Sequence, residues 1–308
     1  MILSCGEALV DMLPRRTDAG EDVFAPCPGG AVFNTAVALG RLGVPAGFLS
    51  GLSTDVFGQM LAAALDASGV DTALCVRSAR PTALAFVTLE DGRARYAFHD
   101  EMTAGRMIRA ADLPAVPQTA EALFFGGISL MVEPCGGAYQ ALMEREAGSG
   151  RVMMLDPNVR PSFIADEAVY RARIARMVAL ADIVKLSDED LRWLEGPRGI
   201  TGGAEAVLAQ GPKVVFVTEG AAGAHAFTAA RSVFVPARRV EVVDTVGAGD
   251  TFNAGVLAAL HGAGLLTGAG VAALSEQSLR EALTLGVRAA AVTVSRAGAN
   301  PPWAKELG

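Results

Sequence analysis

The sequence predicts an α/β protein in which a mainly parallel central sheet is covered by helices on both faces. The second half of the chain alternates short, continuously apolar runs with longer segments of helical periodicity. Uninterrupted apolar strands are typical of a sheet that is buried on both faces. The first third instead alternates apolar and polar residues, as half-exposed antiparallel strands do. We therefore expect one α/β domain over residues 1–308 with a small strand cover.

The elements of the second half follow one another in a regular order. The predicted strands are Leu123–Phe125, Val152–Leu155, Asp182–Leu186 and Val214–Val217. The predicted helices are Pro134–Ala147 and Glu167–Leu180, with further helices that begin near Asp250 and near Glu276. Ligands of parallel sheets bind beyond the carboxyl ends of the strands. Polar residues follow several of these strands, so we expect the functional site there.

The strand cover is predicted in two pieces, at about residues 11–27 and 76–103. Glu90-Asp91-Gly92 is expected to be the hairpin turn of the second piece. Between the two pieces, Asn34–Leu42 and Gly58–Ala67 have the pattern of helices that belong to the main domain. The cover is expected to lie over the mouth of the large sheet.

Composition excludes several classes of partner. The formal charge of −7 and the lack of clustered Lys and Arg argue against a nucleic acid. Residues 251–275 contain no charged side chain, a length that can span a bilayer. Five glycines together with Asn253 and His261 make this stretch only weakly apolar, which favours a buried helix, a break and a second short helix. We expect no membrane partner.

The expected location is the cytoplasm. The four cysteines, at positions 5, 27, 75 and 135, lack C-x-x-C spacing and are interpreted as reduced thiols. The first residues lack a basic segment, and Glu7 interrupts the apolar run too early for a signal peptide.

A small-residue turn that ends in a carboxylate gives the strongest chemical signal. It reads Gly247-Ala248-Gly249-Asp250 and leads into an apolar, helix-like segment. The N–H groups at a helix start are unpaired and carry partial positive charge, so this turn is typical of a phosphate cradle. Asp250 would repel a phosphate that merely binds, but it can accept a proton from a hydroxyl that attacks the phosphate. The turn therefore predicts phosphoryl transfer.

Two other phosphate motifs do not fit this turn. The chain contains no G-x-x-x-x-G-K-[ST], and Phe252 stands where G-x-G-x-x-G needs its third glycine. A purely structural alternative is a tight strand-to-helix turn capped by Asp250 or Thr251. Asp244, six residues before Asp250, favours the chemical interpretation because two acids then flank one loop.

With these residues assembled, the chain resembles the PfkB or ribokinase-like family of carbohydrate kinases over almost its full length. Two signatures carry the resemblance: residues 28–36, which read PGGAVFNTA and are followed by Gly51–Gly58, and residues 244–252, which read DTVGAGDTF. The resemblance implies a ribokinase-like three-layer α/β/α sandwich with a β-strand lid, and ATP and Mg²⁺ as cofactors. It also implies, for some members, a monovalent cation such as K⁺ and a homodimer joined through the lids.

By this resemblance Asp250 is the catalytic base, and the amides of Gly247, Ala248 and Gly249 form the hole that stabilises the transferring phosphoryl group. The resemblance also places a monovalent cation at Asp244, the Val246 carbonyl and the carbonyls of residues 294–298. Ser295 lies in that last segment.

For the sugar, the resemblance implies contacts from Asp11, Gly30, Asn34, Phe98 and Arg160. Asp11 and Asn34 also have structural interpretations, as a solvated acid at a strand end and as a helix cap. Arg160 belongs to the segment 156–160, in which alternate residues of an extended chain would project on one side towards phosphate or substrate.

For the nucleotide, the resemblance implies contacts from residues of several loops. These are Lys185, Ser187, Thr218, Gly220, Gly223, Gly249 and Asn300. Many family members use Asn-x-x-Glu to organise Mg²⁺-bound water, whereas this chain has Ser187-Asp188-Glu189-Asp190. Aspartate has a shorter reach than glutamate, so the predicted magnesium residues are Asp190 together with Glu189 or a bridging water.

The substrate predicted from the resemblance is D-fructose, phosphorylated on its 6-hydroxyl. Residues 6–11, 127–130 and 156–160 look most like those of fructokinases. The alternatives are a 2-keto-3-deoxygluconate kinase, a kinase for another small sugar or a nucleoside, and a non-catalytic sugar or nucleotide sensor. The lid lacks the tyrosine-x-arginine order of the deoxygluconate kinases, which favours a neutral sugar.

Overall fold

A computed structural model describes residues 1–90 and 93–308. Its large sheet runs in the order β15-β14-β13-β12-β11-β10-β1-β4-β6. These strands are β1 Ile2–Cys5, β4 Ala46–Leu49, β6 Val70–Asp71, β10 Ala122–Gly126, β11 Val152–Asp156, β12 Ile183–Ser187, β13 Val214–Thr218, β14 Gly223–Phe227 and β15 Ser232–Pro236. In this order, every neighbouring pair between β13 and β6 is parallel. β14 pairs antiparallel with β13, and β15 pairs antiparallel with β14. The predicted mainly parallel sheet is confirmed.

Two smaller sheets stand beside the large one. The four-stranded sheet has the order β3-β2-β8-β9, and the strands β5 and β7 form the other. Their bounds are β2 Leu9–Arg16, β3 Asp22–Gly29, β5 Gly51–Ser53, β7 Val76–Ser78, β8 Ala83–Glu90 and β9 Arg93–His99. The predicted cover at residues 76–103 therefore differs at its start, because β7 pairs with β5. Of the predicted turn at residues 90–92, Asp91 and Gly92 lie outside the described residues.

The helices occupy both faces of the large sheet. They are α1 Ala31–Arg41, α2 Val56–Ala67, α3 Cys135–Glu146, α4 Glu167–Leu180, α5 Asp188–Glu195, α6 Gly199–Leu208, α7 Ala248–Gly262, α8 Gly268–Ala272 and α9 Glu276–Val294. Successive strand residues alternate between two cores. Phe124 belongs to the core that contains residues of α1, α7 and α9, whereas Phe125 belongs to the core that contains residues of α3, α4 and α6. This alternation builds the three layers that the resemblance implies.

The apolar stretch at residues 251–275 forms α7, a glycine-containing break and the short helix α8, as predicted. Within the described part of the chain, no helix has the length and apolar character that crossing a membrane requires.

Helices α7 and α9 pack with their backbones in contact. A Cβ atom added to Gly255 would lie 2.7 Å from the Cα of Gly286, far inside normal contact distance. We expect Gly255→Ala to lower the free energy of unfolding by about 1–3 kcal/mol, because an extra methyl in a packed interior forces a backbone shift. Urea unfolding measures this change.

Gly262→Ala is the matched control, because Gly262 belongs to the same helix and nothing lies within 4 Å of its added Cβ. We expect this control to leave stability unchanged or to raise it slightly, since alanine restricts the unfolded chain. Equal stability of the Gly255 and Gly262 variants would contradict the close packing of α7 and α9.

Candidate active site

The start of α7 presents a buried carboxylate next to a turn of small residues. Asp250 lies in the first turn of the helix and is only 7% exposed. The side-chain amide of Asn34, from α1, donates a hydrogen bond of 2.9 Å to Asp250 Oδ2. The hydroxyl of Thr35 donates to the backbone carbonyl of Asp250 at 3.3 Å. Two helices from opposite ends of the chain thus fix this carboxylate.

The surroundings of Asp250 suit a proton acceptor. Burial raises the pKa of the Asp250 carboxyl to about 7. The hydrogen bond from Asn34 and the charge of Lys185 oppose this rise. The carboxylates of Asp156 and Glu7 add to it. A general base works best when its pKa lies near the working pH, so Asp250 has the protonation behaviour that such a base needs.

The glycine turn before Asp250 is held in a conformation that favours glycine. Gly247 is the N-cap of α7 with φ of 78°, and a Cβ added to it would lie 2.7 Å from the Cβ of Ala299. The N–H groups of the first helical residues have no carbonyl partner within the helix. One of them, Ala248 N–H, makes a long hydrogen bond of 3.3 Å to the Thr245 carbonyl before the helix. The predicted anion cradle depends on these amides at the turn and the helix start.

The predicted sugar residues at the amino-terminal signature converge on the same place. A Cβ added to Gly29 would lie 2.3 Å from Asp11 Oδ2, so the Asp11 carboxylate, on β2, covers that glycine backbone. Gly30 follows, with φ of 109°, as the N-cap of α1. Asn34 lies in the first turns of α1 and donates the hydrogen bond to Asp250. Burial raises the pKa of Asp11 to about 6. These residues form a polar wall that leads to the Asp250 carboxylate.

A cavity of about 530 Å³ borders the glycine turn, with Thr245, Ala248 and Gly249 in its lining. The predicted nucleotide residues Thr218, Gly220, Gly223 and Gly249 line it. Its remaining walls come mostly from the segment before the turn, which the sequence did not indicate, and from α9, where the family resemblance implies an adenine pocket at residues 286–295. Those lining residues include Ala237, Arg238, Arg239, Val240, Val242, Phe252, Val287, Ala290, Ala291 and Val294. A mostly apolar cavity of this size that opens onto backbone amides suits a nucleotide.

The comparison with known protein families decides the assignment. Residues 5–306 match the family model described as pfkB family carbohydrate kinase. This chain belongs to the pfkB family of carbohydrate kinases. The predicted family, the α/β fold and the phosphotransferase class with an alcohol acceptor are confirmed.

Individual relatives of this carbohydrate kinase are similar over most of their length. A fructokinase of Rhizobium leguminosarum bv. trifolii is 55% identical over 284 residues, which are 91% of this chain and 86% of that protein. The crystal structure of a fructokinase with bound ATP from Xylella fastidiosa superposes with a TM-score of 0.88 at 30% identity, covering 99% of this chain and 97% of that one. A Vibrio cholerae O395 fructokinase in fructose, ADP and calcium ion bound form has a TM-score of 0.83 at 27% identity, over 97% and 94% of the two chains.

A buried polar cluster adjoins the anion turn of this kinase. The ammonium of Lys185, on β12, donates to Asp156 Oδ2 at 3.0 Å, and the amide of Asn253, on α7, donates to the same oxygen at 2.7 Å. All three residues are at most 4% exposed. Lys185 was predicted to contact nucleotide, but the sequence did not single out Asp156 and Asn253 as site residues. An acid that follows a buried apolar strand was the one signal available for Asp156.

The predicted magnesium residues differ in their surroundings. Glu189 is exposed, whereas Asp190 is buried and accepts backbone N–H groups on both oxygens, from Val159 at 3.0 Å and from Ser187 at 3.4 Å. Burial raises the pKa of Asp190, and the charge of Asp156 adds to this effect. Ser187 caps α5 by accepting the N–H of Asp190 at 3.0 Å, so its hydroxyl already has a helix partner.

Each oxygen of Asp190 keeps a second lone pair. Asp190 can therefore accept a further hydrogen bond from a water bound to Mg²⁺, because Mg²⁺ usually retains several waters. Among the described residues, no group of three or more His, Cys, Asp or Glu side chains is arranged to enclose a metal ion. The residues present therefore suit Mg²⁺ that arrives with nucleotide phosphates.

The structure brings together the segments predicted to hold a monovalent cation. Asp244 accepts the N–H of Val246 at 3.0 Å and the N–H of Gly298 at 2.9 Å. The backbone N–H groups of Val243 and Asp244 bond to the Val294 carbonyl. Ser295 is exposed, and its hydroxyl donates to the Val292 carbonyl at 2.8 Å.

Two predicted contacts lie differently from the expectation. The segment 156–160 is not extended, because Asn158 has φ of 46° and its N–H bonds to Asp156 Oδ1 at 3.2 Å. Arg160 is exposed, and its guanidinium donates to the Val159 carbonyl at 3.0 Å. Asn300 is exposed, accepts from Arg41 at 2.7 Å, and is not among the residues that line the cavity.

Phe98, the predicted sugar contact from the cover, is half-buried on β9. Its ring meets Phe163 edge to face, with ring centres 4.0 Å apart. Phe163 lies in the short 3-10 turn Pro161–Phe163, directly after Arg160. This contact ties the edge of the four-stranded sheet to the loop that follows β11.

Proposed function

We propose that this carbohydrate kinase transfers the γ-phosphoryl group of ATP to the 6-hydroxyl of D-fructose and forms fructose 6-phosphate. The observation that carries the proposal is the buried Asp250 carboxylate, with a pKa of about 7, in the first turn of a helix that begins at a glycine N-cap. The 55% identical Rhizobium relative is named a fructokinase, which supports fructose as the acceptor. The Xylella and Vibrio structures, which hold ATP, or ADP with fructose, support the nucleotide.

The reaction places one reactant on each side of the glycine turn. The sugar lies against Asp11, Gly30 and Asn34, and the nucleotide occupies the cavity beyond Gly249. The fructose hydroxyl oxygen attacks the γ-phosphorus while Asp250 takes the hydroxyl proton. As the new O–P bond forms, the bond to ADP breaks and ADP leaves with that electron pair.

The amides of Gly247, Ala248 and Gly249 stabilise the charge on the oxygens in transit, because preorganised donors cost no reorganisation during the reaction. The ammonium of Lys185 adds a full positive charge beside Gly249. Mg²⁺ bound with the nucleotide would neutralise part of the phosphate charge. Asp190 would hold it through its water, with Glu189 on the exposed side of the same helix. Asp244, the Val246 carbonyl and the backbone of residues 294–298 would hold K⁺ behind the turn.

The four-stranded sheet is proposed to act as a lid and as the contact between two copies of the chain. Its edge strand β3 exposes Val23 at 39% and Phe24 at 44% of their surfaces, which supports burial against a partner. The cytoplasm remains the proposed location, supported by four cysteines that are all free thiols.

An ADP-release screen with ATP and a panel of acceptors tests the function. The panel contains fructose, 2-keto-3-deoxygluconate, ribose, tagatose and adenosine. We expect the highest kcat/KM with fructose. A higher value with another acceptor would replace the proposed substrate. Sugar binding in titration calorimetry without turnover of any acceptor would show a sensor and contradict the proposed reaction.

A further inference from the structure

The buried cluster of Asp156, Lys185 and Asn253 joins the sheet to the helix that carries Asp250. A single oxygen, Asp156 Oδ2, accepts both the Lys185 ammonium and the Asn253 amide. Asp156 ends β11, Lys185 lies in the neighbouring strand β12, and Asn253 lies one turn after Asp250 in α7. The position of the ammonium is therefore set jointly by two strands and one helix.

The ammonium lies at the anion turn itself. A Cβ added to Gly249 would come within 3.0 Å of Lys185 Nζ. Within the described residues, the hydrogen bond to Asp156 is the one that Lys185 Nζ makes. An ammonium has three N–H donors, so two remain directed away from Asp156. Because Nζ lies beside Gly249, these donors are within reach of a phosphoryl group held by the turn.

The charge of Lys185 is maintained in spite of its burial. Burial alone lowers the pKa of this ammonium, but the carboxylates of Asp156, Asp190 and Asp250 outweigh that effect and the pKa is raised. Lys185 therefore stays protonated across the working pH range. Without Asp156, a buried ammonium would lose its main neutralising partner.

Asn253 is poorly explained by stability alone. Its amide N–H₂ bonds to Asp156, but its Oδ1 atom is buried without a hydrogen-bond partner. An unpaired buried oxygen destabilises the folded state, and an apolar residue of similar shape avoids that cost. Asparagine at this position therefore lowers the stability of the folded state, but it supplies an N–H donor that orients Asp156.

We propose that Asp156 and Asn253 are positioning residues that hold the Lys185 ammonium against the start of α7, with two N–H groups free for the phosphoryl oxygens. The inference rests on the proposed kinase reaction and assigns how its cation is held. Asn253 fixes the rotation of the Asp156 carboxylate, and Asp156 fixes the ammonium. Neither residue exchanges a proton or bonds to substrate during the transfer.

Asn253→Leu separates positioning from folding. We expect this variant to keep or raise the melting temperature and to lower kcat about 10²-fold, because a small misplacement of a group that acts in the transition state costs that much. The KM for fructose stays nearly unchanged. Ser4→Ala is the matched control, because Ser4 Oγ is likewise buried without a partner, on β1. The control keeps wild-type kcat. A wild-type kcat in Asn253→Leu would overturn the proposal.

The pH profile gives a readout that a purely structural role would not move. Asp250 is faced by Asn34 from α1, by Glu7 after β1, and by Asp156 and Lys185 from the neighbouring strands. Asp156→Asn removes a negative charge near Asp250 and shifts the acidic limb of kcat to lower pH. Lys185→Met removes a positive charge and shifts that limb to higher pH. Shifts in the same direction, or no shift in either variant, would overturn the proposal.

Wild-type turnover of fructose in the same assay distinguishes failure of the proposed reaction from failure of the proposed positioning. If the wild type does not turn over fructose or any other acceptor, the proposed reaction fails, and positioning is then judged from ATP affinity by titration calorimetry. Weaker ATP binding by both Asn253→Leu and Lys185→Met would support the held ammonium. Affinity equal to that of the wild type would overturn it.

Discussion

Replacing Asp250 with asparagine is expected to lower kcat by about 10³-fold, within the range that a positioned general base contributes. Asparagine has nearly the same shape and keeps an oxygen that accepts the Asn34 amide, but it cannot take a proton from the sugar hydroxyl. Steady-state ADP release with saturating ATP and fructose measures this loss. Undiminished turnover in the variant would refute the assigned role.

The stability of the same variant provides the folding control. Because the pKa of Asp250 is raised to about 7 in the folded protein, the native state holds this proton more tightly than the unfolded chain does. Folding therefore loses stability as pH rises from about 4 to about 7, by on the order of a few kcal/mol. The substitution Asp250→Asn removes that cost, so the variant should melt above the wild type at pH 8 and near it at pH 4.

Gly247→Ala is expected to lower kcat by about 10²-fold or more, comparable to the loss of one donor from an oxyanion hole. The added methyl would lie 2.7 Å from the Ala299 Cβ, so the turn must move and carry its amides away from the phosphoryl group. Quenched-flow measurement of a single turnover isolates this step from product release.

Gly264→Ala controls for the backbone strain of Gly247→Ala. Gly264 has a φ of 68°, close to the 78° of Gly247, but nothing lies within 4 Å of a Cβ added to Gly264. We expect both variants to lose some stability and only Gly247→Ala to lose turnover. An equal loss of turnover in both would show that general strain, and not displacement of the amides, is responsible.

Much of the fold is predictable from the sequence because local patterns and tertiary burial agree. The continuous apolar run at Val152–Asp156 is buried on both faces, and Glu167–Leu180 is helical over the predicted range. The pairing of Val76–Ser78 with Gly51–Ser53 was not predictable in this way, because which short strands pair depends on how the chain closes in space.

The site was predictable where its chemistry is local in the chain. Asp250 and its glycine turn occupy adjacent positions, so their spacing alone predicts the roles that we propose for them. The hydrogen bonds from Asn253 and Lys185 to Asp156 join residues that are 97 and 29 positions apart, and no local pattern records them. Arg160 was placed wrongly as part of an extended segment because Asn158 adopts a left-handed conformation, in which its N–H bonds to Asp156.

In the proposed reaction, Asp250 accepts the proton of the attacking sugar hydroxyl. The most direct measurement is the rate of single-turnover phosphoryl transfer between pH 5.5 and 8.5, at saturating fructose so that titration of Asp11 does not affect binding. We expect a rate that rises with pH and levels off above an apparent pKa of about 7, the value to which burial raises the pKa of Asp250. In Asp250→Asn we expect a low rate without this rise. A wild-type rate independent of pH over this range, or the same rise in the variant, would contradict this role of Asp250.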